Sequence, residues 1–439
     1  MTVRNGMRIV AVVLMLAGIA VLTAWGQEPG KVTVSITPDK AKALYKCGEA
    51  ATFTVTVSEN GKALTEGEVV ATFTRDQVER VDRKRATLGG EQAKVTGTLS
   101  QPGFMTCEAA FMKDGKVTKG AVTVGFDPEK IKPVVTEPAD FDAFWQAGKA
   151  ELAKVEMKVE VTPRPQESND KQDAYEISIT NIDNTKIYGY LNVPKGPGPF
   201  PAWISFPSAG GPVKPTSGFV EHAEMGAISL NMCMHDFDPS NPPADVVKDR
   251  SGYPWMGAPD RNKYYFRRAI LGFDRAIEYL ASRPDFDGKH LLAGGTSQGG
   301  GFALIMGGLN KRVTAVVAGV PALCDEEADM GGRRATWPNI LALRDKRPKE
   351  WVEMARYFDA VNFAKRIKAP TLCFVGFDDD TCPPTSVYAA YNVISAPKCI
   401  FNGLHSGHVG SIPEIEGFQK PWIKGQLGLG PVVAFPAEK

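Results

Sequence analysis

The first part of the chain alternates between apolar and polar positions in short runs rich in Val, Thr and Phe. Asn60-Gly61, Gly89-Gly90 and Asp114-Gly115 separate these runs as turns. Short strands at this spacing predict an all-β, immunoglobulin-like sandwich over residues 27–127. No titratable cluster stands out there, which favours a structural or oligomer-shaping module over a glycan-binding one. The predicted strands are 31–37, 51–59, 68–76, 93–100, 103–112 and 119–127.

Beyond residue 128 the pattern changes to apolar strands that alternate with helical segments. This alternation predicts a mostly parallel sheet with helices on both faces, and we assign residues 128–439 to one such domain. Helices are predicted at 141–155 and 264–282. Strands are predicted at 175–182, 186–193, 202–206, 227–232, 291–293, 313–318 and 371–376.

The N-terminus has the pattern of a secretory signal peptide. Arg4 and Arg8 precede an apolar run over residues 9–22, and Ala24-Trp25-Gly26 fits a cleavage site. We therefore predict a signal peptide over residues 1–26 and a secreted or periplasmic protein. The alternative is an uncleaved anchor helix, but the run is short for a membrane span, so no stable membrane insertion is expected.

Composition narrows the functional classes. A net charge of +1 over 439 residues gives no argument for a nucleic-acid partner. No phosphate-binding loop, paired Cys-x-x-Cys spacing or His-Glu-x-x-His motif is present, so we expect neither cofactor nor metal. Cys47 and Cys107 are the only cysteines of the N-terminal region, and the sequence does not decide whether they form a disulfide.

The strongest chemical signal is the run Gly295-Thr296-Ser297-Gln298-Gly299, which fits the Gly-x-Ser-x-Gly nucleophile elbow. A short apolar strand precedes it and an apolar helix follows, which is the context that the motif requires. Such a turn raises the serine oxygen above the sheet and directs the helix N-terminus at an oxyanion. Ser297 is the predicted nucleophile.

A serine nucleophile needs a histidine base and a carboxylate, in the chain order Ser, acid, His in α/β-hydrolases. His405 and His408 are the only histidines downstream, and we favour His408, which follows Gly407. The acid is expected after the strand 371–376, where three consecutive aspartates, 378–380, occur. The residues alone do not choose among these three, and a solvated turn or a cation site is an alternative.

An oxyanion hole needs two backbone N–H groups. The residue after the nucleophile, Gln298, supplies the first. The Gly-rich stretch after the strand 202–206 offers the second, through Ala209. Together these features predict an α/β-hydrolase fold for the second domain.

Residues of about 141–410 resemble the acetyl xylan esterase and cephalosporin C deacetylase group, carbohydrate esterase family seven. Three stretches carry the resemblance: 264–278, with Tyr-Tyr-Phe-Arg and Arg-Ala-Ile-Glu; 294–301, with Ser-Gln-Gly-Gly; and 357–392, with Pro-Pro and Ala-Ala-Tyr-Asn. The resemblance implies Ser297 as nucleophile, Asp379 as the triad acid and His408 as the base. It also implies deacetylation of short acetylated sugars without a metal.

The sequence departs from that family at three places. Cys233-Met234-His235-Asp236 replaces an Arg-Gly-Gln motif, Pro207-Ser208-Ala209 replaces a His-Gly-Tyr loop, and Val409 replaces a glutamate after the histidine. These changes affect the pocket wall rather than the triad. Because of these changes, the sequence does not predict whether the family's specificity for acetyl xylan applies to this chain. The added sandwich leaves the family's hexameric assembly undecided, so a homo-oligomer is one possible state.

Three functions are compatible with these observations. The first is a secreted serine carboxylesterase that deacetylates oligosaccharides. The second is a hydrolase of another acyl ester or a peptide on the same triad. The third is a non-catalytic glycan-binding protein on a hydrolase fold.

Overall fold

The computed structural model describes residues 31–210, 220–243, 252–342, 348–410 and 412–436. The predicted signal peptide lies outside the described residues. Over residues 31–127 the described chain forms strands and no helix, and the region from residue 128 onward combines one large sheet with helices.

The N-terminal region is a sandwich of two sheets with an apolar interior. In one sheet β3 pairs with β1, β4 and β7, and the other has the order β2-β9-β8-β5-β6. Alternate side chains face the other sheet, and Phe53, Phe73 and Met105 are fully buried. The finer assignment to the immunoglobulin class stays a prediction. The strands are β1 Val32–Pro38, β2 Leu44–Tyr45, β3 Ala51–Glu59, β4 Lys62–Ala63, β5 Glu68–Arg75, β6 Glu79–Thr87, β7 Ala93–Gly97, β8 Gly103–Lys113 and β9 Lys116–Phe126.

A nine-stranded sheet follows, with the order β10-β11-β12-β14-β13-β15-β16-β17-β18. The first three pairings are antiparallel and the five from β14 to β18 are parallel. The central strands are buried on both faces, as expected for a parallel sheet between helical layers. The strands are β10 Val159–Pro163, β11 Gln172–Thr180, β12 Lys186–Pro194, β13 Phe200–Phe206, β14 Ile228–Cys233, β15 Phe286–Thr296, β16 Ala315–Gly319, β17 Thr371–Gly376 and β18 Lys398–Gly403.

The helices pack on this sheet according to their apolar faces. Tyr265–Ser282 is amphipathic and buries Phe266, Ile270, Phe273 and Ile277, which recur at helical spacing. Among the described residues, no helix is both long and apolar enough for a membrane span. The helices are α1 Phe141–Ala153, α2 Val220–Glu224, α3 Tyr265–Ser282, α4 Gln298–Leu309, α5 Lys349–Ala355, α6 Ala360–Ala364, α7 Pro384–Val393 and α8 Pro413–Gln426.

The sandwich and the α/β region share an apolar core that continues from one into the other. Phe104 of β8 packs edge-on against Phe377, with ring centroids 4.9 Å apart, and also contacts Tyr388 at 5.6 Å. The side chain of Asn392 donates hydrogen bonds to the carbonyls of Pro128 and Ile131, each at 2.9 Å. The sandwich is therefore docked onto the end of the sheet where β17 finishes.

The possible disulfide between Cys47 and Cys107 is not formed, and both residues are free thiols. Cys107 points into the core of the sandwich, opposite Val122 in the middle of β9. Cys47 lies near the end of β9, where its N–H donates to Asp127 at 3.0 Å. The two cysteines are therefore several residues apart along the same sheet.

Candidate active site

Ser297 lies in a strained turn between β15 and α4. Its backbone φ is 61° and ψ is −125°, a conformation that L-residues rarely adopt. The turn is tight because Gly295 and Gly299 touch. A Cβ on Gly295 would lie 2.5 Å from the carbonyl carbon of Gly299, so no larger residue fits there. The N–H of Ser297 donates to Gly319 at 2.9 Å, which ties the turn to β16.

Three of the predicted site residues form one hydrogen-bonded chain. Ser297 Oγ and His408 Nε2 are 2.9 Å apart, and His408 Nδ1 and Asp379 Oδ2 are 2.8 Å apart. In the tautomer with its proton on Nδ1, the imidazole donates to the carboxylate and accepts from the serine hydroxyl. Ser297 is largely buried, with 8% of the residue exposed.

The loop after β17 presents one of its three aspartates to the histidine. Asp379 is fully buried, and its Oδ1 accepts hydrogen bonds from the N–H groups of Thr381 at 2.9 Å and Cys382 at 2.8 Å. These donors fix the carboxylate so that Oδ2 faces His408. Asp380 is exposed instead, and so is the alternative histidine, His405.

The two predicted oxyanion donors belong to two segments that meet at the elbow. Gln298 is the first residue of α4, where a backbone N–H has no partner within the helix. The loop that contains Ala209 is tied over the elbow, since Ser208 Oγ donates to the carbonyl of Thr296 at 2.9 Å. Ala209 follows directly and is exposed. Its role as the second donor stays a prediction.

Sequence reasoning missed Tyr253, which lies against the nucleophile's neighbour. Its hydroxyl donates to Gln298 Oε1 at 2.5 Å, and the Gln298 amide donates to the carbonyl of Pro207 at 3.0 Å. Burial raises the pKa of Tyr253, so the phenol keeps its proton. Tyr253 belongs to a 3-10 turn without apolar periodicity, so no sequence pattern indicated it.

The segment that replaces the family's Arg-Gly-Gln motif packs against Gln298 and Tyr253. Met234 Sδ lies 2.9 Å from the Gln298 amide nitrogen. His235 is hydrogen-bonded to Tyr265 and packs edge-on against Tyr253, with ring centroids 5.3 Å apart. Asp236 accepts a hydrogen bond from the N–H of Lys186. A compact aromatic wall therefore stands where the family has a cationic motif.

Cys382 is a further neighbour of the triad that the sequence did not single out. It is fully buried, its backbone N–H donates to Asp379 Oδ1 at 2.8 Å, and burial raises the pKa of its thiol well above the usual value. Ligand atoms of Asp379, Cys382 and His408 lie within 4.8 Å of one another. Asp379 and His408 are also hydrogen-bonded to each other in the triad, so a metal ion bound to them would compete with that hydrogen bond.

Comparison with known proteins identifies the family. A family model for acetyl xylan esterase (AXE1) matches residues 128–409. Acetyl esterase Axe7A of Xylanibacter ruminicola is 35% identical over 369 residues, which is 82% of this chain and 83% of that protein. This chain belongs to the acetyl xylan esterase family. The family relation makes it a carboxylic ester hydrolase.

Two solved structures of acetyl xylan esterases share the fold. Acetyl xylan esterase 1 of Thermoanaerobacterium sp. JW/SL YS485 has a TM-score of 0.61 at 25% identity, over 69% of this chain and 97% of that one. The enzyme of Paenibacillus sp. R4 has a TM-score of 0.60 at 29% identity, over 68% and 98% respectively. The predicted α/β-hydrolase fold is confirmed. The family model begins at residue 128, after the last strand of the sandwich.

Proposed function

We propose that this chain is a secreted serine carboxylesterase that removes acetyl groups from acetylated oligosaccharides. The observation that carries the proposal is the hydrogen-bonded chain from Asp379 through His408 to Ser297, with the serine on a strained turn at a helix N-terminus. These are the parts that nucleophilic acyl transfer needs: an activated oxygen, a base and an oriented carboxylate.

In the first half of the reaction, Ser297 Oγ attacks the carbonyl carbon of the acetyl ester while its proton passes to His408 Nε2. The buried Asp379 carboxylate stabilises the resulting imidazolium through Nδ1–H. The backbone N–H groups of Gln298 and Ala209 hold the negatively charged oxygen. The tetrahedral intermediate then collapses, the bond to the sugar oxygen breaks, and His408 gives its proton to that oxygen.

In the second half, water replaces the sugar. His408 takes a proton from the water as the water oxygen attacks the acetyl-serine ester. Collapse of the second tetrahedral intermediate releases acetate, and His408 returns the proton to Ser297 Oγ. The cycle consumes one water per ester and needs no other reactant.

The acetyl group is proposed because acetyl esterase and acetyl xylan esterase are the names of the relatives described above. The alternative is another acyl ester or a peptide, and the changed segments around Ala209 and His235 motivate it. A series of p-nitrophenyl esters from acetate to octanoate separates the two. A small acyl pocket predicts a steep fall in kcat/KM beyond acetate, whereas a flat or rising profile would contradict acetyl specificity.

Export is proposed from the N-terminal pattern of Arg4, Arg8 and the apolar run that follows. If it is correct, the mature protein recovered from outside the cytoplasm begins near Gln27. N-terminal sequencing of that protein is the test. A mature protein that still starts at Met1 would contradict the cleaved signal peptide.

The principal experiment compares the wild type with Ser297→Ala in acetate release from acetylated xylo-oligosaccharides and in turnover of p-nitrophenyl acetate. Ser35→Ala, an exposed serine of β1, is the matched control. We expect Ser297→Ala to lose several decades of rate, roughly 10⁴-fold or more by the behaviour of serine triads. Full activity in that variant would exclude Ser297. Aryl acetate turnover without release of acetate from the oligosaccharide would exclude the proposed substrate only.

A further inference from the structure

The hairpin turn between β5 and β6 of the sandwich reaches the loop that contains the triad acid. Gln77 Nε2 donates a hydrogen bond of 2.9 Å to the backbone carbonyl of Asp379. Gln77 and Asp379 are 302 positions apart in the chain, so this bond exists only because the two domains are docked. It acts on the peptide unit that directly follows the catalytic carboxylate.

The turn that presents Gln77 is built in an unfavourable backbone conformation. Asp76 and Gln77 have positive φ values of 48° and 61°, a region that costs non-glycine residues free energy. Asp76 is buried and locked to β8, because its N–H donates to Phe104 O and its Oδ1 accepts from Phe104 N–H, both at 2.8 Å. The turn is therefore held in one position rather than free at a loop tip.

Both neighbours of Asp379 are also linked to the sandwich. Burial raises the pKa of the Asp378 carboxyl, and the side chain of Thr123, in β9, comes near enough to that carboxyl to act in the opposite direction. Arg334 links the turn to Asp380, the residue after the triad acid. Its backbone N–H donates to Asp76 O at 3.2 Å, and its Nε donates to Asp380 O at 2.7 Å. Each of the three consecutive aspartates is thus contacted by the sandwich or by a residue bonded to it.

We propose that the N-terminal sandwich is a positioning module for the triad acid, and that Gln77 is the positioning residue. This inference rests on the proposed function, in which Asp379 orients His408. The direction of the Asp379 carboxylate depends on the backbone of residues 379–382, since Oδ1 is held by N–H groups of that segment. A small displacement of such a group lowers catalytic rate sharply, because proton transfer depends on geometry.

The test uses the full-length chain with Gln77→Met, which keeps the size of the side chain and removes its N–H donors. Gln92→Met, at an exposed position in another turn of the same sandwich, is the matched control. Thr123→Val is a second variant that removes the contact to Asp378. The readouts are kcat and KM on p-nitrophenyl acetate, the melting temperature, and the downfield NMR signal of the His408 Nδ1–H proton.

We expect Gln77→Met to lower kcat by roughly 3- to 10-fold, the range of one hydrogen bond, with KM within about two-fold of wild type. The His408 proton signal should shift or broaden, and Thr123→Val should act in the same direction. Gln92→Met should match the wild type in kcat and in the His408 proton signal. Rate losses measured well below the melting temperature would distinguish positioning from domain stability.

Wild-type kcat and an unchanged His408 proton signal in Gln77→Met would overturn the proposal, even if the melting temperature fell. Such a result would leave the turn as a stabilising domain contact. If the wild type hydrolysed no ester, the proposed function would fail. The NMR comparison of Gln77→Met with Gln92→Met would still decide whether the sandwich positions Asp379.

Discussion

Tyr253 and Gln298 are joined by a hydrogen bond of 2.5 Å from the tyrosine hydroxyl to the amide oxygen. Gln298 follows the nucleophile, and its amide nitrogen holds the carbonyl of Pro207, two residues before Ala209. Tyr253 therefore determines which way the amide points, and the amide connects the elbow with the loop expected to complete the oxyanion hole. The relationship makes Tyr253 part of the support for the oxyanion hole.

Removal of this hydroxyl in Tyr253→Phe should lower kcat/KM on p-nitrophenyl acetate by roughly 3- to 20-fold. One buried hydrogen bond is lost, and the amide oxygen of Gln298 is left without this donor, an effect on the order of 1–2 kcal/mol. Tyr279→Phe is the matched control, since it removes a hydroxyl near the C-terminal end of α3 that accepts a hydrogen bond from Arg283. Equal rates for the two variants would show that the Gln298 amide is held without Tyr253.

The three aspartates after β17 provide an internal comparison. Asp379→Asn should lower kcat by roughly three to four decades, because an amide cannot stabilise the imidazolium of His408. Asp380→Asn should stay within about three-fold of wild type, since its exposed carboxylate makes a long ion pair with Arg334 at 3.6 Å and accepts a long hydrogen bond from the Thr381 hydroxyl at 3.4 Å. Steady-state kinetics on p-nitrophenyl acetate decide the matter. A larger loss in Asp380→Asn than in Asp379→Asn would contradict the assignment.

Glu326 makes the stability of the fold depend on pH. Burial raises its pKa well above the ordinary value of 4.5, and the negative charges of Asp359 and Asp325 add to that effect. Below pH 4.5 both the folded and the unfolded chain hold the proton, and the stability is complete. As the pH rises, only the unfolded chain releases the proton, so the free energy of unfolding falls by about 1.4 kcal/mol per pH unit until the folded pKa is reached.

The amide in Glu326→Gln cannot ionise and removes this penalty. We expect its urea midpoint to exceed that of the wild type by an amount that grows from pH 5 to pH 8. Urea unfolding followed by tryptophan fluorescence over that range is the measurement. A difference between the two proteins that did not change with pH would show that Glu326 does not titrate across it.

Metal ions should inhibit this enzyme and not support it. A chelator such as EDTA should leave the rate unchanged, because a Ser-His-Asp site supplies its own nucleophile and base. Added Zn²⁺ should inhibit, since Asp379, Cys382 and His408 present an oxygen, a sulfur and a nitrogen within 4.8 Å, ligand types that Zn²⁺ binds. Metal bound there would break the bond from His408 to Asp379.

Cys382→Ala should weaken Zn²⁺ inhibition by roughly ten-fold or more relative to the uninhibited rate of the same variant, since one of three ligands is lost. Cys399→Ala, a half-buried cysteine of β18, is the matched control. Inhibition curves with Zn²⁺ from low micromolar concentrations upward are the measurement. Identical curves for wild type and Cys382→Ala would place the inhibitory metal elsewhere.

The periodicity of the sequence predicted the large elements because burial on one or two faces leaves a regular pattern. It missed β6, Glu79–Thr87, because this strand lies at the edge of its sheet and most of its side chains are charged and exposed. An exposed edge strand buries no regular apolar face, so no alternation indicates it. The elbow at Ser297 was recognisable from its glycines, which are required because the backbone segments at Gly295 and Gly299 lie too close for a side chain.

The local sequence pattern does not determine which of the three consecutive aspartates is the triad acid. Asp378, Asp379 and Asp380 are chemically equal in the sequence, and the family resemblance supplied the preference for Asp379. The structure separates them by the direction of the loop, which buries Asp379 beside His408 and exposes Asp380. Tyr253 and Gln77 were not foreseen, because each reaches the site from a turn whose position depends on packing between distant segments.

Ser297 should carry the acyl group during turnover, and rapid quenching of the reaction with p-nitrophenyl acetate captures the enzyme in that state. The quenched enzyme is digested, and its peptides are analysed by mass spectrometry. We expect one acetyl group on Ser297, and none on that peptide in Ser297→Ala. Acetylation of Cys382 instead, or full turnover by Ser297→Ala, would contradict it.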